Sequence, residues 1–246
     1  KYGICLSSQV GCAMKCSFCH TGLQGLERHL ETHEIVGQFL AAERWLKVHR
    51  PSDAKIATIV FMGQGEPLHN FENVRRALEI FISQHGLSLA AEKITISTAG
   101  YLPGLVRWRD ELPDVNIALS LHSTFKDKRD QLIPINAKFP VEEVLAVVRG
   151  IPKTKKRYVI YEYLLARGFN DSEADARALG LALQEGRSFV NIIPFNPFPG
   201  ARYERPSEKE IQQFKAWLDE YKVPNLVRFT KGDDILAACG QLNSKK

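Results

Sequence analysis

Residues 12–22 read CAMKCSFCHTG: three cysteines within eight residues and no fourth close by. A structural zinc site takes four ligands, usually as two CxxC-like pairs or two cysteines with two histidines, and only His20 stands near enough to complete such a set. Three cysteines around an iron-sulfur cluster leave one iron without a protein ligand, free to take a substrate. The flanking sequence has to decide between these readings.

Outward from this loop, β-branched or aromatic runs alternate with longer stretches at helical spacing, the pattern of βα units around a parallel sheet. Strands are predicted at IATIVFM from Ile56, KITIS from Lys93, VNIALSL from Val115, YVIYEYLL from Tyr158, FVNIIPF from Phe189 and LVRF from Leu226, with the opening YGICL a further candidate. Ile35, Val36, Phe39, Leu40 and Leu46 share one helical face, and Val141, Val144, Leu145 and Val148 another. Ser207 and Glu210 have capping-box spacing ahead of Ile211, Phe214 and Leu218, so a helix is expected to start there. No internal repeat, low-complexity tract or linker interrupts the series. About six βα units in 246 residues predict one α/β domain over residues 1–246, a partial (open) (β/α)6 barrel. In such a fold the C-terminal ends of the strands face the active site. CAMKCSFC, GQGEPLHN, STAG, SLHS and NPFPGA each follow a strand and are expected to converge on one rim.

Bulk properties narrow the function. At 44% apolar and 25% charged, the composition is that of a folded protein. No run of 18 apolar residues and no signal-peptide pattern in KYGICLSSQV is present, so a cytoplasmic enzyme without a membrane span is expected. Five cysteines, three of them crowded into one loop, argue against a secreted disulfide framework and for metal or catalytic use. A net charge of +5 and a pI near 8.9 permit an anionic partner without demanding one.

CxxxCxxC at Cys12, Cys16 and Cys19, with Phe18 before the last cysteine, resembles the cluster motif of the radical S-adenosylmethionine (SAM) enzymes, and Gly63-Gln64-Gly65-Glu66-Pro67 resembles their GGEP element. More narrowly, CLSSQVGC, GQGEPL, ISTAG, SLHS, PIN, NPFPGA and GDDILAACGQL are similar, in order and spacing, to the adenosine carbon-2 RNA methyltransferases of that superfamily, from Cys5 to Leu242. The resemblance implies an open radical SAM barrel. It implies a [4Fe-4S] cluster held by Cys12, Cys16 and Cys19, with SAM on the open iron and two SAM molecules used per turnover. By the same resemblance Cys239 is methylated by one SAM, a radical from the second removes a hydrogen from that methyl, and the carbon radical adds to the adenine ring. Cys5 then attacks the Cys239 sulfur, releasing methylated RNA and leaving a disulfide that a cellular thiol reduces. Gly65, Glu66, Ser97, Ser120, Leu121, His122 and Asn196 are implied SAM contacts. The implied partners are 23S ribosomal RNA, with transfer RNA a second candidate, and an electron donor such as flavodoxin; a monomer is expected.

Plainer roles compete for several of these residues. Cys5 and Cys239 have the contexts of small buried hydrophobes. Glu66 could cap a helix begun after Pro67, Ser97 and Ser120 could terminate strands, and Asn196 could make a turn. His20 is expected near the cluster without ligating it. The basic run Lys153–Arg157 reads as a solvated loop with phosphate contact as the sharper alternative. Gln64, where relatives often have methionine, is expected to present backbone to SAM. Relatives usually carry a helical N-terminal RNA-holding domain and, just before the position of Cys5, a glutamate proposed to take the final ring proton. With only four residues before Cys5, either a trimmed catalytic domain or a natural short relative using another base is expected, the missing initiator methionine favouring the first. Two rival functions stay open: methylation at carbon 8, as in antibiotic-resistance relatives, and a non-catalytic RNA-binding module with Cys12, Cys16, Cys19 and His20 around zinc.

Overall fold

Each run read as a strand forms one, with ends displaced by no more than two residues. The computed structural model describes residues 2–53, 55–112, 114–151, 159–183, 188–228 and 238–242. In chain order the first elements are β1 (Tyr2–Cys5), β2 (Gln9–Gly11), α1 (His20–Gln24), β3 (Leu26–His29), α2 (Thr32–His49), β4 (Ile56–Phe61) and α3 (Phe71–Ile82). Then follow β5 (Ile94–Thr98), α4 (Leu102–Glu111), β6 (Asn116–Ser120), α5 (Lys126–Leu132), α6 (Val141–Arg149), β7 (Val159–Leu165), α7 (Glu173–Leu183), β8 (Ser188–Pro194), α8 (Glu208–Asp219) and β9 (Asn225–Val227). The basic run Lys153–Arg157, Tyr158, Phe229 and the start of GDDILAACGQL lie outside the described residues.

Seven strands pair in parallel in the order β1-β4-β5-β6-β7-β8-β9, so the sheet has two edges, β1 and β9, and its order follows the chain. Six strand-to-helix units followed by a last strand give the expected open barrel. Between β1 and α2 the chain also makes an antiparallel ribbon, β2 with β3, which periodicity did not predict. Runs of three and four residues are too short to show a period of two, and this ribbon supports the cysteine loop it brackets.

The core lies between the sheet and the helices outside it. Ile35, Phe39 and Leu46 of α2, Val74, Leu78 and Phe81 of α3, and Val141, Val144, Leu145 and Val148 of α6 are buried, as their spacing requires. α8 shows the chain of causes: Ser207 Oγ accepts from the Glu210 amide at 3.3 Å while Glu210 Oε2 accepts from the Ser207 amide at 2.6 Å. This box satisfies amides with no partner inside the helix. Ile211, Phe214 and Leu218 are then buried, with Phe214 stacked on Tyr163 of β7 at 5.1 Å between centroids. Burying one such side chain contributes ~1.5–3 kcal/mol, so losing Phe214 would cost more than losing the cap, at ~1 kcal/mol.

Candidate active site

The cysteine loop is fixed by main chain at both ends. The Cys12 amide donates to Gly25 O at 3.0 Å, the Ser17 amide to Leu132 O at 3.0 Å, and the Cys19 amide to Cys16 O at 3.1 Å. A Cβ on Gly22 would lie 2.8 Å from Cys16 O, so α1 can cross the loop this closely only with glycine there. Lys15 takes a positive φ of 56° within the loop. All three cysteines line one cavity of about 150 Å3. Burial pushes Cys12 up to about 12, Cys16 well above its ordinary value and Cys19 upward, with neighbouring thiolates adding to the first two.

Such thiols stay protonated unless a metal takes up their charge, which is the donor chemistry an iron-sulfur cluster requires. Among the described residues, no group of three or more His, Cys, Asp or Glu side chains is gathered tightly enough to hold a single metal ion. A tetrahedral zinc would need that convergence, whereas a cluster spreads its ligands over separate irons. His20 instead stacks on Phe198 at 5.0 Å, consistent with its reading as a neighbour of the cluster.

The opposite wall begins after β4. Gly65 has φ of 98°, and a Cβ there would lie 2.5 Å from the Gln9 side chain, so the turn depends on glycine. Gln9 Oε1 accepts from the Glu66 amide at 2.8 Å. Glu66 is 3% exposed, and its two oxygens accept from the Leu68 amide at 3.1 Å and the Ala99 amide at 2.8 Å. The capping role is therefore real, for the short helical turn Pro67–Asn70, but it engages one oxygen only. Burial raises the carboxyl to about 7 against the pull of Ala99, Thr98 and Leu68 donors. Gln64 departs from its expected role. Its amide donates to Ser7 Oγ at 3.0 Å and its carbonyl accepts from the Ser8 and Gln9 amides, so its backbone braces the stretch after β1 and does not face the cavity.

Ser97, Ser120 and His122 line the cavity between these walls. His122 is 3% exposed with φ of 58°, a conformation that costs energy and tends to mark functional sites. Its Nδ1 accepts from the Leu164 amide at 3.0 Å, and burial with the nearby Arg129 lowers its pKa to about 3. It is a neutral imidazole whose Nε2 carries the proton. Phe18 of the cysteine loop meets its ring edge-on at 4.6 Å. Leu121 differs: its side chain, on the opposite face from Ser120, is fully buried in the core, and its carbonyl accepts from Arg129.

Sequence reading missed Arg129. At 1% exposed, its guanidinium donates to Ala99 O at 2.9 Å, Ser120 O at 2.7 Å, Leu121 O and Asn136 Oδ1 at 3.0 Å. It ties the ends of β5 and β6 together and lowers the thiol pKa of Cys16. Burial brings its own pKa down to about 10. Within KDKRDQL it reads as one more solvated charge; its spacing with Leu132 was the available signal.

Glu162 was also missed, although a carboxylate inside the apolar strand YVIYEYLL is a signal in itself. It lines the cavity at 3% exposed, and its Oε1 accepts from Asn191 Nδ2 at 2.9 Å while Oε2 has no hydrogen-bond partner among the described residues.

Cys239 lines the same cavity as the three loop cysteines. Its segment is tied to the rim: Gly240 O accepts from the His20 amide at 2.7 Å, Leu242 O from Thr21 Oγ1 at 2.6 Å, and Gln241 Nε2 donates to Pro197 O at 2.7 Å. Asn196 does not line the cavity; its Nδ2 donates to Cys239 O at 3.3 Å, so it holds the cysteine from behind. Cys5 ends β1 outside the cavity wall. Both Cys5 and Cys239 are exposed, against the plainer reading of them as buried packing. Enough protein surrounds them that burial still raises both thiols, Cys5 to about 11, and the Cys239 charge raises Cys5 further.

The radical SAM superfamily matches residues 6–179. A dual-specificity RNA methyltransferase RlmN from Gluconobacter oxydans is 42% identical over 98% of this chain and 60% of its own length. A probable RlmN from Aquifex aeolicus is 42% identical over 100% of this chain and 70% of its own length. The crystal structure of a radical SAM methyltransferase from Sphaerobacter thermophilus, 40% identical, superposes with a TM-score of 0.93 over 99% of this chain and 70% of that one. The chain thus spans 60 to 70% of the length of these relatives.

Proposed function

The chain belongs to the radical SAM superfamily and, within it, to the RlmN methyltransferases, and on that premise we propose that it methylates carbon 2 of an adenosine in 23S ribosomal RNA, with transfer RNA as a second substrate. The observation that carries this reading is the position of Cys239. It stands on the wall of the cavity that also holds Cys12, Cys16, Cys19 and Glu66, with Cys5 near enough to feel its charge.

Carbon 2 of adenine lies between two ring nitrogens and is electron-poor, so it cannot attack a sulfonium methyl as a nucleophile. When bound, a [4Fe-4S] cluster and SAM supply the electron, the methyl group and the hydrogen-abstracting radical that polar transfer lacks. Cys12, Cys16 and Cys19 hold the cluster. The Gly65 turn, Glu66, Ser97, Ser120 and the Nε2–H of His122 orient SAM, while Leu121 through its main chain and Asn196 through Cys239 support that wall. Cys239 carries the methyl carbon and joins it to carbon 2 of the adenine as a thioether, that ring carbon giving up its hydrogen as a proton together with one electron, which passes to the one-electron redox partner. The Cys5 thiolate then attacks the Cys239 sulfur. The S–S bond forms as the S–C bond breaks, the bonding pair stays on carbon, and a proton completes the new methyl. The two sulfurs are thereby oxidised to a disulfide, having given up the electron pair that stays on carbon, and a cellular thiol reduces them again.

Paired variants test the assignment. Cys239→Ala removes the methyl carrier, so no RNA becomes attached. Cys5→Ala leaves the earlier steps intact and removes the resolving thiol, so protein accumulates covalently joined to RNA, seen as nuclease-sensitive, slow-migrating protein on a denaturing gel. The reverse pattern means that the two roles are exchanged. Two unmodified proteins with normal RNA methylation would remove both cysteines from the mechanism.

A further inference from the structure

Asn170 lies in the turn after β7 and is fully buried, and no step described above uses it. Its Nδ2 donates to His122 O at 2.8 Å and to Leu164 O at 2.6 Å, and its Oδ1 accepts from the Ala166 amide at 2.8 Å. Two carbonyls need donors and one amide needs an acceptor, so the carboxamide fits only one way round, with both Nδ2 hydrogens spent. The turn is anchored from the core as well, where Tyr163 Oη donates to Asn170 O at 2.8 Å. His122 is bound back to the same strand: its amide donates to Glu162 O at 3.3 Å, and its Nδ1 accepts from the Leu164 amide at 3.0 Å. Asn170 thus joins the main chains of His122 and Leu164 at the place where the histidine ring takes its hydrogen bond.

We propose that Asn170 is a positioning residue: it clamps His122 in its left-handed backbone conformation, which keeps Nδ1 on the Leu164 amide and leaves the Nε2–H for a ligand in the cavity. The inference rests on the reading of His122 as a SAM contact. A φ of 58° is not where a histidine main chain rests when unconstrained, so the surroundings must hold it there. The bond from Asn170 to His122 O does so from inside the core, where a carbonyl stripped of its donor has no water to replace it. Which ring nitrogen carries the proton is set by the bond that the other one makes. By holding Leu164 O, Asn170 also keeps in place the residue whose amide makes that bond. The plainer role for an asparagine in such a turn is to close it through Oδ1, as the bond from the Ala166 amide does. That role needs an acceptor alone. The two bonds from Nδ2 lie beyond it, and one of them crosses to the segment after β6.

The test uses the cluster-loaded protein and diethyl pyrocarbonate, which acylates a neutral imidazole through its free lone pair, with the His122 peptide followed by mass spectrometry. In the wild type the lone pair of Nδ1 is occupied by the Leu164 amide and Nε2 carries the proton, so His122 should react well below the rate of the exposed His33. Asn170→Asp separates the two roles, since it keeps the acceptor for the Ala166 amide and loses both donors. It should speed acylation of His122 by about three- to tenfold, the effect of one lost hydrogen bond, with His33 unchanged. SAM binding, measured by calorimetry, should weaken by about the same factor. Asn170→Ala should behave alike. Leu179→Ala, in the buried face of α7, controls for loss of stability and should leave His122 slow. An Asp variant that matches the wild type reduces Asn170 to a turn residue and overturns the inference, as does a Leu179 variant in which His122 reacts as fast. Should both Asn170 variants fail to fold, the wild-type protein decides: a His122 as reactive as His33 means an unclamped ring. Fast acylation with SAM affinity intact would keep Asn170 as the clamp and remove His122 from the SAM contacts, so failure here and failure of the proposed function are told apart.

Discussion

Glu66→Gln should make the iron-free chain more stable above neutral pH while weakening its hold on SAM. The carboxyl is fully enclosed, and burial lifts it from 4.5 to about 7. The folded state therefore binds this proton more tightly than the unfolded state between those two values. Stability contributed by the neutral acid is full below pH 4.5, falls as pH rises through the interval, and is gone above about 7. At ~1.4 kcal/mol per pKa unit, the shift amounts to about 3 kcal/mol of penalty for carrying the charge at pH 8. Glutamine reproduces the neutral acid in shape. It keeps one carbonyl for the Leu68 or Ala99 amide and, like the protonated carboxyl, turns a donor toward the other. Urea denaturation of both proteins at pH 5 and pH 8 reads the difference. Near-equal stability at pH 5, with the variant ahead by about 1–3 kcal/mol at pH 8, is expected, the lower figure applying where water relaxes around the charge. Parallel curves across pH, or a Gln variant less stable at pH 8 than at pH 5, would refute the assignment of the shift to burial. SAM binding measured by calorimetry at pH 8 should fall at least tenfold if Glu66 is, as proposed, the acceptor for the SAM ammonium, because that acceptor has lost its charge; this is about 1.4 kcal/mol or more, within the range of one charged hydrogen bond.

Two further outcomes follow from the same site. Cys16→Ala should abolish iron retention, measured as iron per chain and visible absorption after anaerobic reconstitution, and RNA methylation with it; full methylation by this variant would sink the radical reading. Arg129→Met should lower stability by roughly 3–5 kcal/mol in urea titration, because three main-chain carbonyls and Asn136 lose a buried donor, and Arg129→Lys should rescue little since a point charge cannot reach all four.

The strands and helical faces were legible because each has one environment along its length. β7 buries nearly every residue and so reads as a continuous apolar run, and α6 buries Val141, Val144, Leu145 and Val148 at helical spacing. The β2–β3 ribbon was not legible, being shorter than any period that could announce it. At the site, Cys12, Cys16, Cys19, Gly65, Glu66, Ser97, Ser120, His122 and Cys239 come together on one cavity as their motifs suggested. Those motifs lie at strand ends, where the fold itself sets the position. Leu121, Asn196 and Gln64, assigned to SAM by motif, do not line that cavity: sequence order places a residue near a site but does not say which way it faces.

Arg129, Glu162 and Arg228 escaped notice for a related reason. Each is a charge whose partners lie on other strands: Arg129 binds Ala99, Ser120 and Leu121, Glu162 binds Asn191, and Arg228 reaches Met62 across the mouth of the sheet. Local sequence shows only the charge, and an isolated charge in a helix or near a strand end is read as solvated by default. Burial reverses that default, because an enclosed ion persists only where several groups from separate elements were placed to meet it. Two of these charges follow a common geometric rule. Arg129 joins adjacent strands behind the cysteine loop, and Arg228 reaches from the end of β9 to Met62 just past β4. An open barrel lacks the last strand pair that would fix its mouth, so side chains must set that distance instead. Among the described residues β1 and β9 each pair on one side only, and the opening between them leaves Cys5 exposed.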